Sequence, residues 1–322
     1  MQSNARVVVI LGTGGTIAGE ATSPEDDLGY RSAALPVDAL VSALRPPPGV
    51  TLESEQVAQL DSKDMDFATW RCLALRAAHH LSRRDVAGLV VTHGSDTVEE
   101  TAYFLQRVLA PTKPIVLTAA MRPATSTRAD GPRNLADAIA VATTPGVTGV
   151  AVVVAGQLHA ALEVRKVHPQ RLDAFGSGDQ GPLGTVEEGR VVLRRTAPAS
   201  HEAAVAGDAL PTDEAGWPRV ALVATGAGAD PRSVRALVDA GFDGIVVATT
   251  GNGTVHRALE APLREAMARG CLVLRATRCL AGAIVEPAPA ADALPSAGGL
   301  TPQQARVELI VRVLARRSAA RN

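Results

Sequence analysis

Short apolar runs alternate with amphipathic stretches along most of this chain, and this alternation limits the folds that it can adopt. Each run has the length of a buried strand, and each amphipathic stretch has the spacing of a helix with one face against a core. Strands that alternate with helices of about 10–15 residues predict βαβ units and a parallel, doubly wound sheet. In the first part of the chain we predict strands at residues 7–11, 89–91, 115–117 and 150–155, and helices at 69–81, 96–109 and 133–141.

Residues 196–218 interrupt this alternation. They include three Pro and seven Ala with no sustained period, which favours an interdomain linker. We therefore predict an α/β protein with a larger N-terminal parallel-sheet domain of the flavodoxin-like, doubly wound kind at residues 1–196, a linker at 197–218, and a smaller C-terminal α/β domain at 219–322. In that second domain the predicted strands are residues 220–224, 245–248 and 272–274, and the predicted helices are 231–240, 255–269 and 302–316.

The charge balance and the aromatic content exclude several classes of partner. Lys plus Arg (32) and Asp plus Glu (33) nearly cancel. The net charge of -1 gives no field that would draw the chain onto nucleic acid or an anionic membrane. Aromatic residues make up only 2% of the chain, which leaves little surface on which bases could stack. We expect no nucleic-acid partner and no membrane partner.

The cysteines and the first residues indicate a compartment. Three cysteines without CxxC spacing predict reduced thiols in a reducing compartment. The chain begins without the basic and long apolar regions of a secretory signal, and no apolar run approaches the ~18–20 residues that span a bilayer. These features predict a cytoplasmic protein.

The first chemical motif, Gly12-Thr13-Gly14-Gly15-Thr16, follows the first predicted strand. Glycines permit a positive φ, and the tight turn gathers N–H groups that could hold a phosphate. The dinucleotide fingerprint needs a third glycine where Ile17 stands, and the Gly-Lys-Ser/Thr of a P-loop is absent. Thr16 could act as a nucleophile if a base activated it. Alone, such a turn is more often structural than catalytic.

The second motif, Thr92-His93-Gly94-Ser95-Asp96-Thr97-Val98-Glu99-Glu100-Thr101, ends a buried strand and opens a helix. In a purely structural interpretation Asp96 caps the helix and Glu99 completes a capping box, because the spacing is D-x-x-E. However, open α/β sheets bind ligands at the carboxyl ends of their parallel strands. Both hydroxyl-bearing turns lie at that edge, which favours a shared functional site.

Other candidate residues have simpler structural explanations. The seven histidines do not cluster and no HExxH is present, so we predict no metal site. His93 is predicted to be a satisfied core or loop histidine, and no G-x-S-x-G elbow supports a Ser-His-Asp triad. Arg122 could bind a carboxylate, although a structural ion pair or a carbonyl clamp is the commoner role. Residues 18–35 form a long stretch without a period, which is either a functional lid or a surface excursion.

Taken together, the two motifs resemble the paired active-site signatures of the bacterial-type L-asparaginase (asparaginase/glutaminase) family. One such motif would be weak evidence, whereas an ordered set over nearly the whole chain is highly specific. The further matching segments are Asp61-Ser62-Lys63-Asp64-Met65, Ala120-Met121-Arg122-Pro123, Ala129-Asp130-Gly131-Pro132-Arg133-Asn134, Gly181-Pro182-Leu183-Gly184, Gly251-Asn252-Gly253 and Leu300-Thr301-Pro302-Gln303-Gln304-Ala305-Arg306-Val307.

The resemblance implies an activity and an assembly. The activity is hydrolysis of L-asparagine to L-aspartate and ammonia through a threonine acyl-enzyme, with some L-glutaminase activity, and without a metal or an organic cofactor. The assembly is a homotetramer made of two tight dimers, in which the C-terminal domain of a neighbouring subunit closes each site.

The resemblance also assigns roles to residues. Thr16 matches the nucleophile, Tyr30 matches the tyrosine on a mobile loop that hydrogen-bonds it, and Ser62 matches the serine that holds the α-carboxylate of the substrate. Asp96 would also bind the α-ammonium group. The implied catalytic residues are Thr16, Tyr30, Ser95, Asp96 and Lys166, and the implied substrate-binding residues are Ser62, Lys63, Ser95, Asp96 and Ala120.

Elementary chemistry agrees with these roles. Asparagine is a zwitterion, so its site needs a carboxylate for the ammonium group and hydrogen-bond donors for the carboxylate. Its amide carbon is poorly electrophilic, so attack needs an activated hydroxyl and donors aimed at the developing oxyanion. A tyrosine or a desolvated lysine can accept the proton. Without the resemblance, Lys166 would be interpreted as an ordinary solvated charge.

The sequence departs from the family pattern at several positions. Ser95 replaces the usual threonine, which keeps the hydroxyl and predicts a looser loop. Lys63 stands where glutamine is common, and Thr254 stands where asparagine is common on the cross-subunit wall. Glu286 is our candidate for the acidic residue that reaches across the dimer, although the segment 281–289 aligns poorly. The cysteine pair that crosslinks some secreted members is missing.

Other functions remain to be weighed against an asparaginase. The first is a related amidase that prefers glutamine or serves as the deamidating subunit of a tRNA amidotransferase, which usually has an added N-terminal domain. The second is a non-catalytic amino-acid sensor on the same fold, which the intact catalytic set argues against. A Rossmann-type dehydrogenase is a distant alternative.

Overall fold

An eight-stranded sheet runs through the N-terminal part of the protein, as seen in a computed structural model that describes residues 6–198, 204–205, 207–286 and 293–320. Four helices and two short strand pairs surround it. The strands are β1 (Arg6–Gly14), β2 (Glu20–Ala21), β3 (Tyr30–Arg31), β4 (Val50–Leu60), β5 (Val86–Thr92), β6 (Ile115–Thr118), β7 (Val150–Val154), β8 (Gln157–Ala160), β9 (Arg165–Lys166), β10 (Phe175–Gly176), β11 (Gly184–Glu187) and β12 (Arg190–Leu193), and the helices are α1 (Val37–Ser42), α2 (Phe67–Leu81), α3 (Val98–Leu109) and α4 (Gly131–Ala142).

The order of the strands places a ligand site. The sheet runs β12-β11-β8-β7-β6-β5-β1-β4, in which β4, β1, β5, β6 and β7 are parallel and β8, β11 and β12 form an antiparallel extension. Counted along the chain, the five parallel strands have the flavodoxin-like order 2-1-3-4-5. The direction of winding reverses between β1 and β5, which is the position where such sheets bind ligands.

Helices cover both faces of this sheet. α1 and α4 pack on one face, while α2 and α3 pack on the other. Strands buried on both faces need continuous apolar runs, and Ile10 and Leu11 of β1 accordingly point to opposite faces with no exposure. The predicted α/β fold with a doubly wound, flavodoxin-like sheet is therefore confirmed.

The edge strand β4 is the largest element that the sequence analysis missed. It pairs with β1 in parallel, but most of its residues are only half buried. Glu53 and Glu55 of β4 pair with Arg83 and Arg76 at distances of 2.6 Å. Because charged side chains occupy so much of the strand, its apolar residues do not stand out as a run.

A second, smaller sheet forms the C-terminal part of the described chain. Its three strands are parallel, with α5 and α6 on one face and α7 on the other. Val307, Ile310, Val311 and Leu314 of α7 are buried, as their helical spacing predicts. The elements are β13 (Val220–Ala224), β14 (Gly244–Thr249), β15 (Leu272–Thr277), α5 (Pro231–Asp239), α6 (Arg257–Ala268) and α7 (Pro302–Ala319).

The chain divides into two compact units at residues 208 and 209. The domain bounds 1–196 and 219–322 and the linker 197–218 stay predictions, and residues 199–203 and 206 of that linker lie outside the described residues. Cys72, Cys271 and Cys279 are free thiols. Within the described ranges, no helix has both the length and the apolar character that crossing a membrane requires.

Candidate active site

Two glycine turns touch where β1 and β5 end. A Cβ atom on Gly15 would lie 2.3 Å from the Cα of Gly94, and one on Gly94 would lie 2.4 Å from the Oγ of Ser62. Gly15 also has a φ of +84°, which side chains rarely adopt. Only glycine permits this approach of one backbone to the other. The contact places Thr16 and Ser95, the next residue of each turn, beside the switch point of the sheet.

Thr16 begins a short 3₁₀ turn and is buried. Its Oγ1 lies 2.7 Å from the hydroxyl oxygen of Tyr30, and either atom can be the donor. Tyr30 begins β3, which pairs with β2 in a two-stranded hairpin. The N–H of Ala33 donates to the carbonyl of Gly15 at 3.1 Å, so the stretch after β3 returns to the turn that carries Thr16. The structure therefore brings these two predicted site residues into direct contact.

Ser95, Asp96 and Lys166 form a second group. The ammonium of Lys166 donates to Ser95 Oγ at 2.9 Å and to Asp96 Oδ1 at 2.6 Å. The Lys166 side chain is 18% exposed, while that of Asp96 is 57% exposed. Lys166 is thus mostly desolvated and held by a carboxylate, unlike the solvated charge that its local sequence suggests.

Ser62 is joined to the turn that contains Ser95 by two hydrogen bonds. Its Oγ accepts a hydrogen bond from the N–H of Asp96 at 3.2 Å, and its carbonyl accepts one from the hydroxyl of Thr97 at 2.8 Å. Ser62 begins a 3₁₀ turn that ends at Asp64, and the carboxylate of Asp61 caps this turn by accepting the N–H of Lys63. Ser62 is buried, whereas the Lys63 side chain is 62% exposed and pairs with Asp64. The structure thus joins Ser62 to the Ser95 turn and turns Lys63 toward Asp64.

Ala120 lies in a buried turn after β6. The carboxylate of Asp130 accepts the N–H groups of Met121 and Arg122 at 2.9–3.1 Å, and the side-chain amide of Asn134 donates to the carbonyl of Ala119 at 2.9 Å. These bonds tie the turn to the start of α4. The Ala129-to-Asn134 motif is therefore a support for the loop that contains Ala120.

His93 is structural, as predicted. It has no exposed surface, and burial lowers its pKa to about 4, so the ring is neutral. Its Nδ1 lies 2.7 Å from the carbonyl oxygen of Gly94, so Nδ1 carries the proton and donates. Nε2 accepts from the hydroxyl of Thr101 at 2.9 Å, and that hydroxyl accepts from the indole N–H of Trp70 at 2.9 Å. This chain of hydrogen bonds links the turn that contains Gly94 to helices α3 and α2.

The predicted capping box at the start of α3 is wrong. The helix begins at Val98, and the side chain of Thr97 at the N-cap position makes no capping bond. The carboxylate of Asp96 faces Lys166 instead, because an ammonium ion is a stronger partner than a backbone amide. Glu99, the expected second member of the box, accepts the backbone N–H of Lys166 at 2.6 Å.

Glu99 is the neighbour of Lys166 that sequence reasoning missed. Burial raises its pKa to about 7, and the charge of Glu100 adds to this rise. The N–H of Lys166 and the charges of Arg165 and Lys166 oppose the rise. The sequence contained one signal, since Glu99 lies in the first turn of α3, a few residues after the Ser95–Asp96 turn.

Thr254 and Glu286 lie in the second unit of the chain. Arg275 connects the segments that contain them, since its guanidinium donates to the carbonyl of Gly253, the residue before Thr254, at 2.8 Å and to the carboxylate of Glu286 at 2.8 and 3.1 Å. The hydroxyl of Thr254 donates to the carbonyl of Thr250 at 2.9 Å. The part of the poorly aligned segment at 287–289 lies outside the described residues. Their cross-subunit role stays a prediction.

The chemistry available at the switch point is that of hydroxyls, one ammonium and carboxylates. Among the described residues, no group of three or more His, Cys, Asp or Glu side chains is arranged to hold a metal ion. A paired hydroxyl beside a lysine–carboxylate pair can perform nucleophilic attack and proton transfer.

Comparison with known families covers both parts of the chain. The domain described as "Asparaginase, N-terminal" matches residues 7–199, and the "Glutaminase/Asparaginase C-terminal domain" matches residues 219–320. The chain belongs to the asparaginase family. The resemblance inferred from the motifs is thereby confirmed.

Individual members of the asparaginase family match along nearly the whole chain. L-asparaginase 2 of Escherichia coli is 36% identical over 94% of this chain and 87% of that protein. Glutaminase-asparaginase of Pseudomonas fluorescens is 34% identical over 94% of this chain and 85% of that protein. The crystal structure of a probable cytoplasmic L-asparaginase from Campylobacter jejuni superposes with a TM-score of 0.86 at 32% identity, and covers 97% of this chain and 99% of that one.

The glycine contact at the asparaginase site can be tested by comparing two substitutions. Gly15→Ala should destabilise the protein more than Gly49→Ala, by at least about 1 kcal/mol, because both glycines have a positive φ but only Gly15 meets a neighbour. Gly49 has a φ of +77°, and a Cβ atom added to it would meet nothing within 4 Å, so it isolates the cost of the backbone conformation. Denaturant unfolding measures both values. Equal losses would contradict the contact.

The buried carboxyl of Glu99 should make stability depend on pH. Its pKa of about 7 lies above the ordinary value of 4.5, so the folded protein binds this proton more tightly than the unfolded chain does. Stability should therefore fall as the pH rises from about 4.5 to about 7, by up to roughly 1.4 kcal/mol per pH unit, and level off above that range. Glu99→Gln keeps an acceptor for the Lys166 N–H and has no proton to lose.

The measurement is the difference in melting temperature between Glu99→Gln and the wild-type protein across this pH range. The difference should increase in favour of the variant up to about pH 7 and then remain constant. Glu260→Gln, which changes an acidic residue in the first turn of α6, is the control. A difference that does not change with pH would show that Glu99 is ionised at little cost.

Proposed function

We propose that this protein hydrolyses L-asparagine to L-aspartate and ammonia by way of an ester on Thr16. The observation that carries the proposal is the convergence at one switch point of a Thr16–Tyr30 hydroxyl pair and a Lys166–Ser95–Asp96 group. Membership in the asparaginase family, with relatives named L-asparaginase, supports this substrate.

The substrate would be held by its two charged ends. Ser62 Oγ already accepts the N–H of Asp96, so its own proton is free to be donated to the α-carboxylate of asparagine. Asp96 presents a half-exposed carboxylate to the α-ammonium group, while its Oδ1 stays with Lys166. The side-chain amide would then lie toward Thr16. Lys63 and Ala120 are proposed as the remaining walls of the substrate site.

In the first half of the reaction the oxygen of Thr16 attacks the amide carbon. The oxygen of Tyr30, 2.7 Å away, accepts the proton of Thr16 as it passes its own proton to the departing nitrogen. The C–N bond breaks, ammonia leaves, and an ester between Thr16 and the aspartyl group remains. We expect backbone N–H groups of the two glycine turns to stabilise the oxyanion.

In the second half, water attacks the ester carbon. Its proton returns to the oxygen of Thr16 as the C–O bond breaks, and L-aspartate leaves. The Lys166 group is proposed to orient Ser95 and to balance the charge that develops beside it. Because Lys166 donates to both Ser95 and Asp96, it acts as a donor in the resting state.

Glutamine is the second candidate substrate. Relatives named glutaminase-asparaginase are 34% identical to this chain over 93–94% of its length, which favours some activity toward glutamine. Glutamine has one more methylene, and a fitted pocket discriminates such a difference by only ~10–200-fold. The ratio of kcat/KM for the two amides distinguishes an asparaginase from a glutamine-preferring amidase.

The nucleophile is tested by two substitutions at Thr16. Thr16→Ala should reduce ammonia release from L-asparagine by at least ~1,000-fold, because it removes the attacking oxygen. Thr16→Ser keeps a hydroxyl and should retain measurable activity. Tyr30→Phe should lower kcat, and Tyr103→Phe, the same change at the other tyrosine, is its control. Undiminished turnover by Thr16→Ala would refute the ester mechanism, and asparagine binding without turnover by the wild-type protein would favour a sensor.

We also propose that the protein is a cytoplasmic homotetramer in which Thr254 and Glu286 of one subunit complete the site of its neighbour. Glu286 is half exposed and held by Arg275, so its carboxylate is both oriented and accessible. The compartment remains a proposal, since the relatives include a probable cytoplasmic and a probable periplasmic L-asparaginase.

Sharing of the site can be tested by mixing two defective variants. Thr16→Ala and Glu286→Gln should each be impaired, while co-expression should restore about a quarter of the wild-type activity, because half of the random dimers contain one intact composite site. Sedimentation velocity reports the size of the assembly. An assembly of wild-type size that gains no activity on co-expression would place Glu286 outside the neighbour's site.

A further inference from the structure

We propose that Asp27 is a positioning residue that holds Tyr30 against Thr16. Its carboxylate fastens the lid loop, defined here as residues 18–35, to the segment 121–128 that follows β6. The inference deepens the proposed function, since Tyr30 is the residue through which Asp27 would act on the reaction. Under this proposal residues 18–35 form a lid, and the contacts of Asp27 hold the lid closed.

The carboxylate of Asp27 is unusual among the acidic groups of the lid loop because its partners lie outside the loop. It is only 10% exposed. Arg122 Nε lies 3.0 Å from its Oδ2, the hydroxyl of Ser126 donates to its Oδ1 at 2.7 Å, and Arg128 pairs with Oδ2 as well. Two guanidinium groups and one hydroxyl therefore converge on one desolvated carboxylate, and such charge-assisted bonds are the strong ones.

The two acidic residues before Asp27 make local contacts instead. Glu25 accepts from the hydroxyl of Ser23 at 2.6 Å, and Asp26 accepts the N–H groups of Leu28 and Gly29 at 2.9 and 2.8 Å. These bonds shape the loop without attaching it to anything. Of three consecutive acidic side chains, the third is the one that joins the loop to the body of the domain.

Arg122 connects Asp27 to the rest of the site. Its Nη1 donates to the carbonyl of Gln170 at 3.0 Å, and its own backbone N–H donates to Asp130 at 2.9 Å. Gln170 lies in the connection between β9, which contains Lys166, and β10. One guanidinium thus ties the lid loop to the turn after β6 and to the hairpin that carries Lys166. The prediction that Arg122 is an ion-pair partner and a carbonyl clamp agrees with both contacts.

Backbone hydrogen bonds also align the lid loop on the segment 121–128, but they involve no charged groups. The N–H of Ala124 donates to the carbonyl of Gly19 at 2.9 Å, and the N–H of Thr127 donates to the carbonyl of Pro24 at 3.0 Å. The segment 121–128 therefore forms a docking strip for the loop, and Asp27 is the charged contact on it. When that charge is lost, the balance between docked and open loop should shift toward the open state, in which Tyr30 leaves Thr16.

The test is Asp27→Asn, with Glu25→Gln as the matched control on the same loop. We expect Asp27→Asn to lower kcat for asparagine hydrolysis about tenfold, because a smaller fraction of the enzyme has Tyr30 in place. KM should change less, since Ser62 and Asp96 are not on the loop. Trypsin should also cleave after the exposed Arg31 several-fold faster in this variant, which reports loop opening without reference to activity. Glu25→Gln should match the wild-type protein in both measurements.

A double-mutant cycle separates positioning from a general loss of structure. In a Tyr30→Phe background, Asp27→Asn should lower kcat less than twofold further, because the group that it positions is already gone. A full tenfold loss in that background, or an unchanged kcat and cleavage rate in Asp27→Asn alone, would overturn the proposal. Absence of ammonia release by the wild-type protein would instead refute the proposed function, and the cleavage rates would still test the loop contact.

Discussion

The site depends on the contact of two backbones at Gly15 and Gly94. A sheet wound in the order 2-1-3-4-5 brings the ends of β1 and β5 side by side, but it does not by itself close the gap between the turns that follow them. The absence of a Cβ atom from both residues closes it. The two groups of site residues are close together only because the turns touch. Thr16 belongs to one turn, while Ser95 and Asp96 belong to the other and bind Lys166 and Ser62.

Burying ionisable groups beside this contact costs stability, and the structure limits the cost by pairing. Lys166 is mostly desolvated, and Asp96 compensates its charge while remaining half exposed itself. Glu99 is less well compensated than Lys166, since its carboxylate accepts a backbone N–H and burial raises its pKa to about 7. The proposed site, with its fixed ammonium and fixed hydroxyl, thus tolerates a nearby carboxyl whose protonation changes near neutral pH.

Sequence reasoning found the parallel sheet and the turns that contact each other, because both depend on residues that are close together in the sequence. Apolar runs mark β1 and β5, and glycines with hydroxyl neighbours mark the turns after them. It missed β4, whose charged residues hide its period, and its structural interpretation of the second motif placed Asp96 and Glu99 in a capping box that the fold does not contain. That error has a physical origin, since a capping box is a local pattern, whereas Lys166 lies 70 residues away from Asp96 and competes for its carboxylate only in the fold.

The same distinction explains why Asp27 could not be found from the sequence. The stretch Pro24-Glu25-Asp26-Asp27 presents three similar carboxylates, and nothing local separates the one with partners about 100 residues away from the two that bond within the loop. The division has a chemical logic. Ser95 and Asp96 lie in the turn between β5 and α3, and Lys166 of β9 is bonded to both, whereas Tyr30 lies on a loop held by a few polar bonds. In the proposed mechanism the substrate must enter before Tyr30 closes over it, so the proposed relay residue is the one that can lie on a movable segment. A single carboxylate suits the task proposed for Asp27, since three side chains of the segment 121–128 converge on it and none of them belongs to the Thr16 or Ser95 turn.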